Sequence, residues 1–386
     1  MEHNTGYKKS LGLFELVSLG IGGTIGSGIF VVPGIAAGIA GPSSLIAWII
    51  AAISASCVML SLAWTSSRYP STGAFYSIFS KVFGIKVSSS LTLLYLISSI
   101  FGIATIAAGI GQYLSFFGVQ NILLIEIVII ILFCLVNIRG IYLSGKTEGV
   151  LTTLKTIPLI IVAILLLPYI QQNNFTPFYT GGSTDFLKAL VIVYWPFTGF
   201  EISAIPAEET KEHQKRFRSL IIVMVVTVSV YMLLNISLIG SVGSEVLADS
   251  PAPIATAAGL IMKESEKIVA VIGIIAMLSA LNAYLVGASR VMQNMSYLFR
   301  LPLLKELGKR GTPIYAIILS AFVAIFLLFF SNHFDELASM AVITTLLPYV
   351  FLCVSAYKIF NVNKIRSIAI IGVLTTLTIL VTFFII

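Results

Sequence analysis

The sequence predicts an all-α polytopic membrane protein with about eleven transmembrane helices, and three observations predict it. First, 58% of the residues are hydrophobic and only 10% are charged, against about 25% charged in a soluble globular domain. An apolar surplus of that size needs lipid as its solvent. Second, the apolar residues gather into runs of about 20, the length a helix needs to cross the hydrocarbon core. Third, lysines and arginines crowd into alternate connections between those runs, as in loops held on the cytoplasmic side.

The predicted spans cover residues 12–38, 43–65, 88–115, 121–138, 148–170, 186–206, 219–240, 266–290, 313–331, 336–358 and 366–386. Lys8 and Lys9 precede the first; Arg68, Lys81 and Lys86 follow the second; Arg139 and Lys146 follow the fourth. Lys211, Lys215, Arg216 and Arg218 follow the sixth, and Arg290, Arg300, Lys305, Lys309 and Arg310 follow the eighth. Lys358, Lys364 and Arg366 follow the tenth, while the opposite side holds only Lys188, Lys263 and Lys267. This asymmetry places the N-terminus in the cytoplasm and, after eleven passes, the C-terminus outside. The outer connection from Ser241 to Lys267 contains "DSPAPIATAA", which reads equally as a short helix over the outer mouth or as a solvated connector.

Several function classes are excluded by what the chain lacks. The net charge of +7 comes without a basic stripe interleaved with aromatics, so no nucleic-acid partner is expected. Cys57, Cys134 and Cys353 lie in apolar runs and read as small core residues. His3, His213 and His333 are scattered, without metal-ligand spacing. No phosphate-binding GxxxxGK[ST] loop, metal-binding helix motif or serine elbow occurs, so neither an enzyme nor a bound cofactor is expected. The first apolar run is of spanning length and lacks a small-residue cleavage site, so no cleavable signal is expected.

Two spans are interrupted at mid-depth. The first carries Gly20, Gly22, Gly23, Gly26 and Gly28, and the sixth carries Pro196 and Gly199. Each glycine costs a helix interior about 1 kcal/mol relative to alanine, and proline removes a donor and clashes with the preceding turn. Gly22 and Gly26 also form GxxxG, which serves close helix packing. The pairing favours a different use. The breaks lie five spans apart, and five is odd, so a second repeat of five enters the membrane from the opposite side. That pattern predicts an inverted-repeat transporter with its substrate at the midplane. A broken helix exposes N–H and C=O groups that lipid cannot satisfy. The N–H groups attract a carboxylate and the carbonyls attract an ammonium, and an α-amino acid offers both.

Charges inside the apolar runs are the other candidates. Lys155 in the fifth span is flanked by apolar residues; it either works as a buried, proton-exchanging amine or snorkels to the cytoplasmic interface. A buried ammonium there is expected to bond a freed carbonyl of the first span, such as that of Gly20, with Ser279 and Asn282 as neighbours. Glu201, just past the sixth-span break, either accepts a proton or ties the broken segment to other helices. Glu208 and Glu209, near the cytoplasmic end of that span, either form an inner gate with Lys211, Arg216 or Arg290 or belong to a solvated loop end.

These residues bring a family into view. "GGTIGSGIF" (22–30) and "YWPFTGFE" (194–201) with "AEETK" (207–211) resemble the first- and sixth-helix signatures of the amino acid–polyamine–organocation (APC) superfamily permeases. "RYPSTGAFYSIFSKVFG" (68–84) is similar to their loop after the second helix, and "LSALNAYLVGASRVM" (278–292) to their eighth helix. The resemblance implies a single transmembrane domain over 1–386 with a 5+5 inverted-repeat (LeuT-like) core. Its first repeat would be 12–170 and its second 186–358, with 366–386 an additional helix. It also implies a substrate site at Thr24, Ile25, Gly26, Ser27, Gly28, Trp195, Phe197, Thr198 and Gly199. There Ser27 and Gly28 would hold the carboxylate, while the carbonyls of Thr24, Trp195 and Thr198 would hold the ammonium. Lys155 would stand where sodium-coupled relatives of the fold hold their ion. The chain departs from many relatives in "KEHQKRFRSL", where a "KNP" and a second proline are missing, and in Pro196 beside the tryptophan.

The expected function is secondary active import of an amino acid across the cytoplasmic membrane by alternating access, coupled to protons. The partners are then the amino acid, protons and the bilayer; oligomeric state is not set by the sequence. An amino acid/metabolite exchanger without net proton coupling is the alternative within transport. A non-transporting amino-acid sensor is the alternative outside it, with loops too short for obvious signalling modules.

Overall fold

The computed structural model describes residues 11–69, 74–204, 213–299, 301–308 and 310–385; at 74, 141–148, 213, 214, 216, 297 and 298 it describes the backbone alone. The described residues form helices and connections, without a β-strand. In order, these are α1 (Leu13–Thr24), α2 (Ser27–Ala40), α3 (Ser44–Arg68), α4 (Ala74–Ser115), α5 (Ile122–Ile138), α6 (Ile141–Leu166), α7 (Ser183–Tyr194) and α8 (His213–Val242). They continue with α9 (Ser244–Ala248), α10 (Pro253–Ala258), α11 (Ser265–Phe299), α12 (Pro302–Lys305), α13 (Ile314–Leu328), α14 (Phe334–Ile359) and α15 (Asn363–Ile385).

Among the described residues, eight stretches are long and apolar enough to cross a membrane, and α5 and α13 are shorter apolar helices. The first stretch, Leu13–Arg68, takes in α1, α2 and α3, with a 3-10 turn at Gly41–Ser43 between α2 and α3. The molecule is thus an all-helical polytopic membrane protein. Its helices are apolar on both faces, as lipid as a solvent requires. On α5, Leu124, Val128, Ile131, Leu132 and Leu135 are exposed, while Glu126, Ile130, Phe133, Cys134 and Asn137 point inward at helical spacing.

The core is built around α4. This helix packs most extensively on α14 and then on α11, while α1 packs on α8, α6 and α11, and α3 packs on α8 and α15. Ser98 of α4 donates to the Ala341 carbonyl of α14 at 2.8 Å and also meets the Thr345 hydroxyl. Hydroxyls give apolar helices a register they would otherwise lack in lipid.

Two stretches differ from the sequence expectation, and at a third the structure takes one of the two readings left open. Residues 74–87, expected as loop because Lys81 and Lys86 lie there, begin α4, which bends at Gly84 (φ +80°). Phe75, Ile78 and Phe79 are buried on one side of this segment, so its apolar residues follow a helical period too short to register as a span. The connection after α8 contains α9 and α10, and "PIATAA" is the second of these, with Ile254, Ala255, Ala257 and Ala258 buried. Finally, α11 runs on to Phe299, beyond the predicted end at 290.

Glycine matters for two different reasons here. Gly84 has open space where a Cβ would stand, so only its φ is demanding. Gly199 has φ +91° and faces the Gly23 carbonyl, and a Cβ on Gly23 would stand 2.8 Å from the Gly199 carbonyl oxygen. Gly84→Ala is therefore expected to cost about 1–3 kcal/mol, the penalty of a positive-φ extended backbone alone. Gly199→Ala, which adds a backbone collision, is expected to cost clearly more. Thermal unfolding of the two detergent-purified variants checks the order; equal melting points would refute it.

Candidate functional site

The break in the first stretch falls at Ile25–Gly26. The helical ladder runs intact through the Ile25 N–H, which donates to Ile21 at 2.7 Å. The next N–H, that of Gly26, turns instead to the Thr24 carbonyl at 3.1 Å. Gly26 then adopts φ −142°, ψ −140°, and α2 begins at Ser27 without a side-chain cap. An uncapped first turn leaves N–H groups directed out of the helix, with the positive end of its dipole behind them.

The second break follows α7. Trp195–Phe197 forms a single 3-10 turn, because Pro196 has no N–H to continue an α-helix. Thr198 is extended, Gly199 is left-handed, and Phe200–Ser203 resumes as a 3-10 turn. The two breaks lie against each other, backbone to backbone. Gly23 meets Gly199, and a Cβ on Gly28 would stand 2.6 Å from Pro196 Cα. Glycine is required at both contacts because no side chain fits between the strands of backbone.

A cavity of about 10 Å³ lies at this junction, lined by Gly23, Thr24, Gly26, Ser27, Gly28, Ile106, Trp195, Thr198, Ala280 and Tyr284. That is room for about one water molecule. Six of the nine residues expected to bind substrate line it, namely Thr24, Gly26, Ser27, Gly28, Trp195 and Thr198. The other three stand behind it. Ile25 is fully buried. Phe197 packs edge-on against Trp48 and Tyr231, at 5.7 and 5.2 Å between centroids. Gly199 abuts Gly23.

The carbonyls at the breaks are more fully occupied than the sequence suggested. Thr24 O accepts from Gly26 N–H and from the Tyr231 hydroxyl at 2.6 Å. Trp195 O accepts from Thr198 N–H at 3.0 Å and from the Thr198 hydroxyl at 2.8 Å. Two bonds fill a carbonyl's two lone pairs. The Tyr231 hydroxyl also lies 2.9 Å from Pro196 O, so one side chain of α8 spans both breaks. Tyr284 of α11 pairs its hydroxyl with that of Thr198 at 3.1 Å and packs its ring on Trp195. Trp195 Nε1 donates to Ser27 Oγ at 3.4 Å.

Lys155 is fully buried. Its ammonium donates to the Gly22 carbonyl at 2.9 Å and to Ser279 Oγ at 2.8 Å. Gly20, the carbonyl named from sequence, instead accepts the Thr24 hydroxyl at 2.6 Å. The ladder explains the shift of two residues. It is intact as far as Ile25, so Gly20 loses nothing, whereas the helical partner of Gly22 would be the Gly26 N–H, which has turned away. Asn282, one turn beyond Ser279, accepts from Asn137 Nδ2 at 3.0 Å.

Glu201 is buried beside the second break and gathers three donors. Tyr95 of α4 donates to Oε1 at 3.0 Å; Tyr349 of α14 and the Gly199 N–H donate to Oε2 at 2.7 and 3.1 Å. It therefore ties the broken segment to two other helices. Glu208 and Glu209 lie outside the described residues, and Arg290 is fully buried with Nη1 on Ser289 Oγ at 2.9 Å. The sequence reading missed Tyr231, Tyr284, Tyr95 and Tyr349. The usable signal was a tyrosine inside an apolar span, because a buried hydroxyl needs a partner and broken backbone supplies acceptors.

Paired broken helices inside a helical membrane protein, with an uncapped half-helix facing a small cavity, are the arrangement by which secondary transporters hold their substrates. The chain matches the amino acid permease family over residues 11–386 and belongs to it, a family within the APC superfamily. It is 30% identical to the inner membrane transport protein YbaT of Escherichia coli, over 99% of this chain and 91% of that one. It is also 25% identical to the branched-chain amino acid permease BcaP of Bacillus subtilis, over 90% of this chain and 80% of that one. The serine/threonine exchanger SteT of the same organism is 25% identical, over 94% and 85%.

Glu201→Ala is expected to destabilise the protein more than Tyr95→Phe or Tyr349→Phe. It leaves three buried donors without an acceptor, each worth about 1–3 kcal/mol. Melting temperatures of the three variants check this, and a Glu201→Ala variant as stable as either phenylalanine variant would overturn the tie.

Proposed function

We propose that the protein is a secondary transporter that imports an amino acid across the cytoplasmic membrane by alternating access, coupled to protons. The observation that carries the reading is the uncapped N-terminus of α2 lining a small cavity between two apposed breaks. Ser27 and Gly28 N–H groups receive the substrate carboxylate there, as a half-helix N-terminus favours an anion. The ammonium takes the carbonyls of Thr198 and Thr24, displacing the Tyr231 hydroxyl from the latter. The lining by Ile106, Ala280, Trp195 and Tyr284 suits a neutral side chain, and the names of BcaP and SteT specify amino acids with such side chains.

In this reading Leu13–Arg68 makes two passes, since one helix of its 56 residues would rise about 84 Å, far more than a bilayer core of about 30 Å. With α5 and α13 the passes number eleven, and the basic connections face the cytoplasm together with the N-terminus. Residues 12–170 and 186–358 form the inverted repeats, and 366–386 lies outside them. The bundle that contains the breaks rocks against a scaffold that contains α4 and α11. Lys155 couples the proton: its ammonium holds the Gly22 carbonyl when charged and releases it when neutral, with Ser279, Asn282 and Glu201 in the surrounding network. Glu208 and Glu209 close the inner gate.

Uptake of a radiolabelled amino-acid panel into proteoliposomes, with and without a proton gradient, tests the proposal. Uptake of neutral amino acids stimulated by the gradient is the expected result; no uptake of any amino acid would overturn it. The exchanger reading, favoured by the likeness to SteT, predicts instead that uptake requires amino acid inside the vesicles. Lys155→Ala is expected to leave the protein folded and to abolish the response to the gradient; an unchanged response removes Lys155 from the coupling. Gly28→Leu, which pushes Pro196 away from the half-helix, is expected to lower uptake by roughly a hundredfold. Wild-type uptake in that variant would move the carboxylate site elsewhere.

A further inference from the structure

The cavity is sealed on the side towards which α2 runs, and the seal is built in two layers. In the nearer layer, a Cβ on Gly109 of α4 would meet Ser27 Cβ at 3.0 Å, Met277 Sδ at 3.2 Å and Phe334 Cε2 at 3.3 Å. The farther layer is a three-way contact. Tyr113 of α4 and Phe30 of α2 pack edge-on, with centroids 5.9 Å apart and planes at 86°. Both press on Gly273 of α11, where a Cβ would stand 2.6 Å from Tyr113 Cε1 and 2.9 Å from Phe30 Cδ1. Tyr113 and Phe30 are both fully buried. From Ile106, which lines the cavity, to Tyr113 is seven residues along α4, and from Ala280 to Gly273 is seven along α11; each is about 10 Å of helix. The contact therefore lies one layer beyond the cavity on all three elements.

One polar bond crosses this apolar seal. The Tyr113 hydroxyl donates to the Phe30 carbonyl at 2.9 Å. Phe30 sits in the first turn of α2, three residues after Ser27, so the bond fixes the same half-helix whose N-terminus lines the cavity. From the residue just before Tyr113, Gln112 Nε2 donates to the Pro251 carbonyl at 3.2 Å, so α4 also holds the connection before α10. That connection backs α2 in turn: a Cβ on Gly34 would stand 2.6 Å from the Leu247 carbonyl oxygen.

We propose that Tyr113 is a positioning residue of the transport cycle: its bond to the Phe30 carbonyl, braced over Gly273, is the latch that holds α2 against α4 and shuts the cavity from the outer face. The latch rests on the transport reading above for its place in a cycle and for the naming of the faces. Opening to the outside breaks this bond and separates the two rings. Closing restores both, and returns the Ser27 and Gly28 N–H groups to the cavity in one orientation.

The test uses the full-length protein with one reporter cysteine at position 106 (Ile106→Cys) and the three native cysteines replaced. A membrane-impermeant thiol reagent is applied to right-side-out and to inside-out vesicles. Tyr113→Phe, which deletes the hydroxyl and keeps the ring, is expected to raise labelling from the outer face roughly fivefold, the weight of one hydrogen bond. Labelling from the inner face is expected to fall. Gly273→Ala, which wedges the rings apart and keeps the hydroxyl, is expected to shift labelling in the same direction and supplies the measurement if the first variant does not fold. Unchanged labelling in a folded variant, or an equal rise from both faces as general loosening would give, overturns the latch. Failure of the wild type to take up amino acids overturns the transport reading separately. The labelling asymmetry then still decides whether Tyr113 controls access to the cavity.

Discussion

The constraint on which the structure depends is the fate of backbone polar groups released inside a membrane. A helix can be interrupted in lipid only if the freed amides and carbonyls find partners within the protein. Here the two interruptions meet, and side chains from other helices supply donors to the freed carbonyls, while the first amides of α2 stay uncapped beside the cavity. Tyr231 serves Thr24 O and Pro196 O together, while Lys155 takes the carbonyl of Gly22 that the turning of Gly26 left over. The Thr198 side chain closes on its own turn at Trp195 O. Each partner is contributed by a neighbouring span or by the break itself, so the breaks hold their shape only in the presence of α6, α8 and α11.

The same accounting explains why Glu201 and Lys155, charged residues in so apolar a chain, are buried beside the breaks. Glu201 would be costly as an isolated charge in this setting. With two phenolic hydroxyls and an amide around it, it becomes the point at which the second break, α4 and α14 are joined. Lys155 makes the corresponding junction between the first break, α6 and α11. The two junctions set a carboxyl on one break and an amine on the other.

Much of this was legible in the sequence, and the illegible part has a physical cause. The spans were readable because lipid demands continuous apolar length, and the breaks because glycine and proline are conspicuous in such runs. Residues 74–87 were not, because an amphipathic helix carrying Lys81 looks like a connection when length alone is the criterion. Lys155 stood out as a charge in an apolar run, but its partner was placed at Gly20 and not Gly22. That choice depends on which peptide unit turns first, and the sequence Gly22–Gly28 offers several. The tyrosines escaped notice because their rings satisfy an apolar pattern while their hydroxyls do the bonding. Glu208 and Glu209 lie beyond the described residues, so no geometry bears on them.

α4 is the element that these contacts share. Along one helix, Tyr95 addresses Glu201, Ile106 lines the cavity, Gly109 faces Ser27, Gly111 faces Glu126 on α5, and Tyr113 reaches Phe30. Successive residues of an α-helix point about 100° apart, so Tyr95, Ile106, Gly109 and Tyr113 share one face of α4 and Gly111 looks out nearly opposite to them. Turning the helix by a single residue would bring the Glu126 carboxyl against a side chain and carry both tyrosine hydroxyls away from their acceptors together. α4 is therefore keyed like a shaft in its slot, by the breaks and α2 on one side and by Glu126 of α5 on the other, and rotation about its own axis is closed to it.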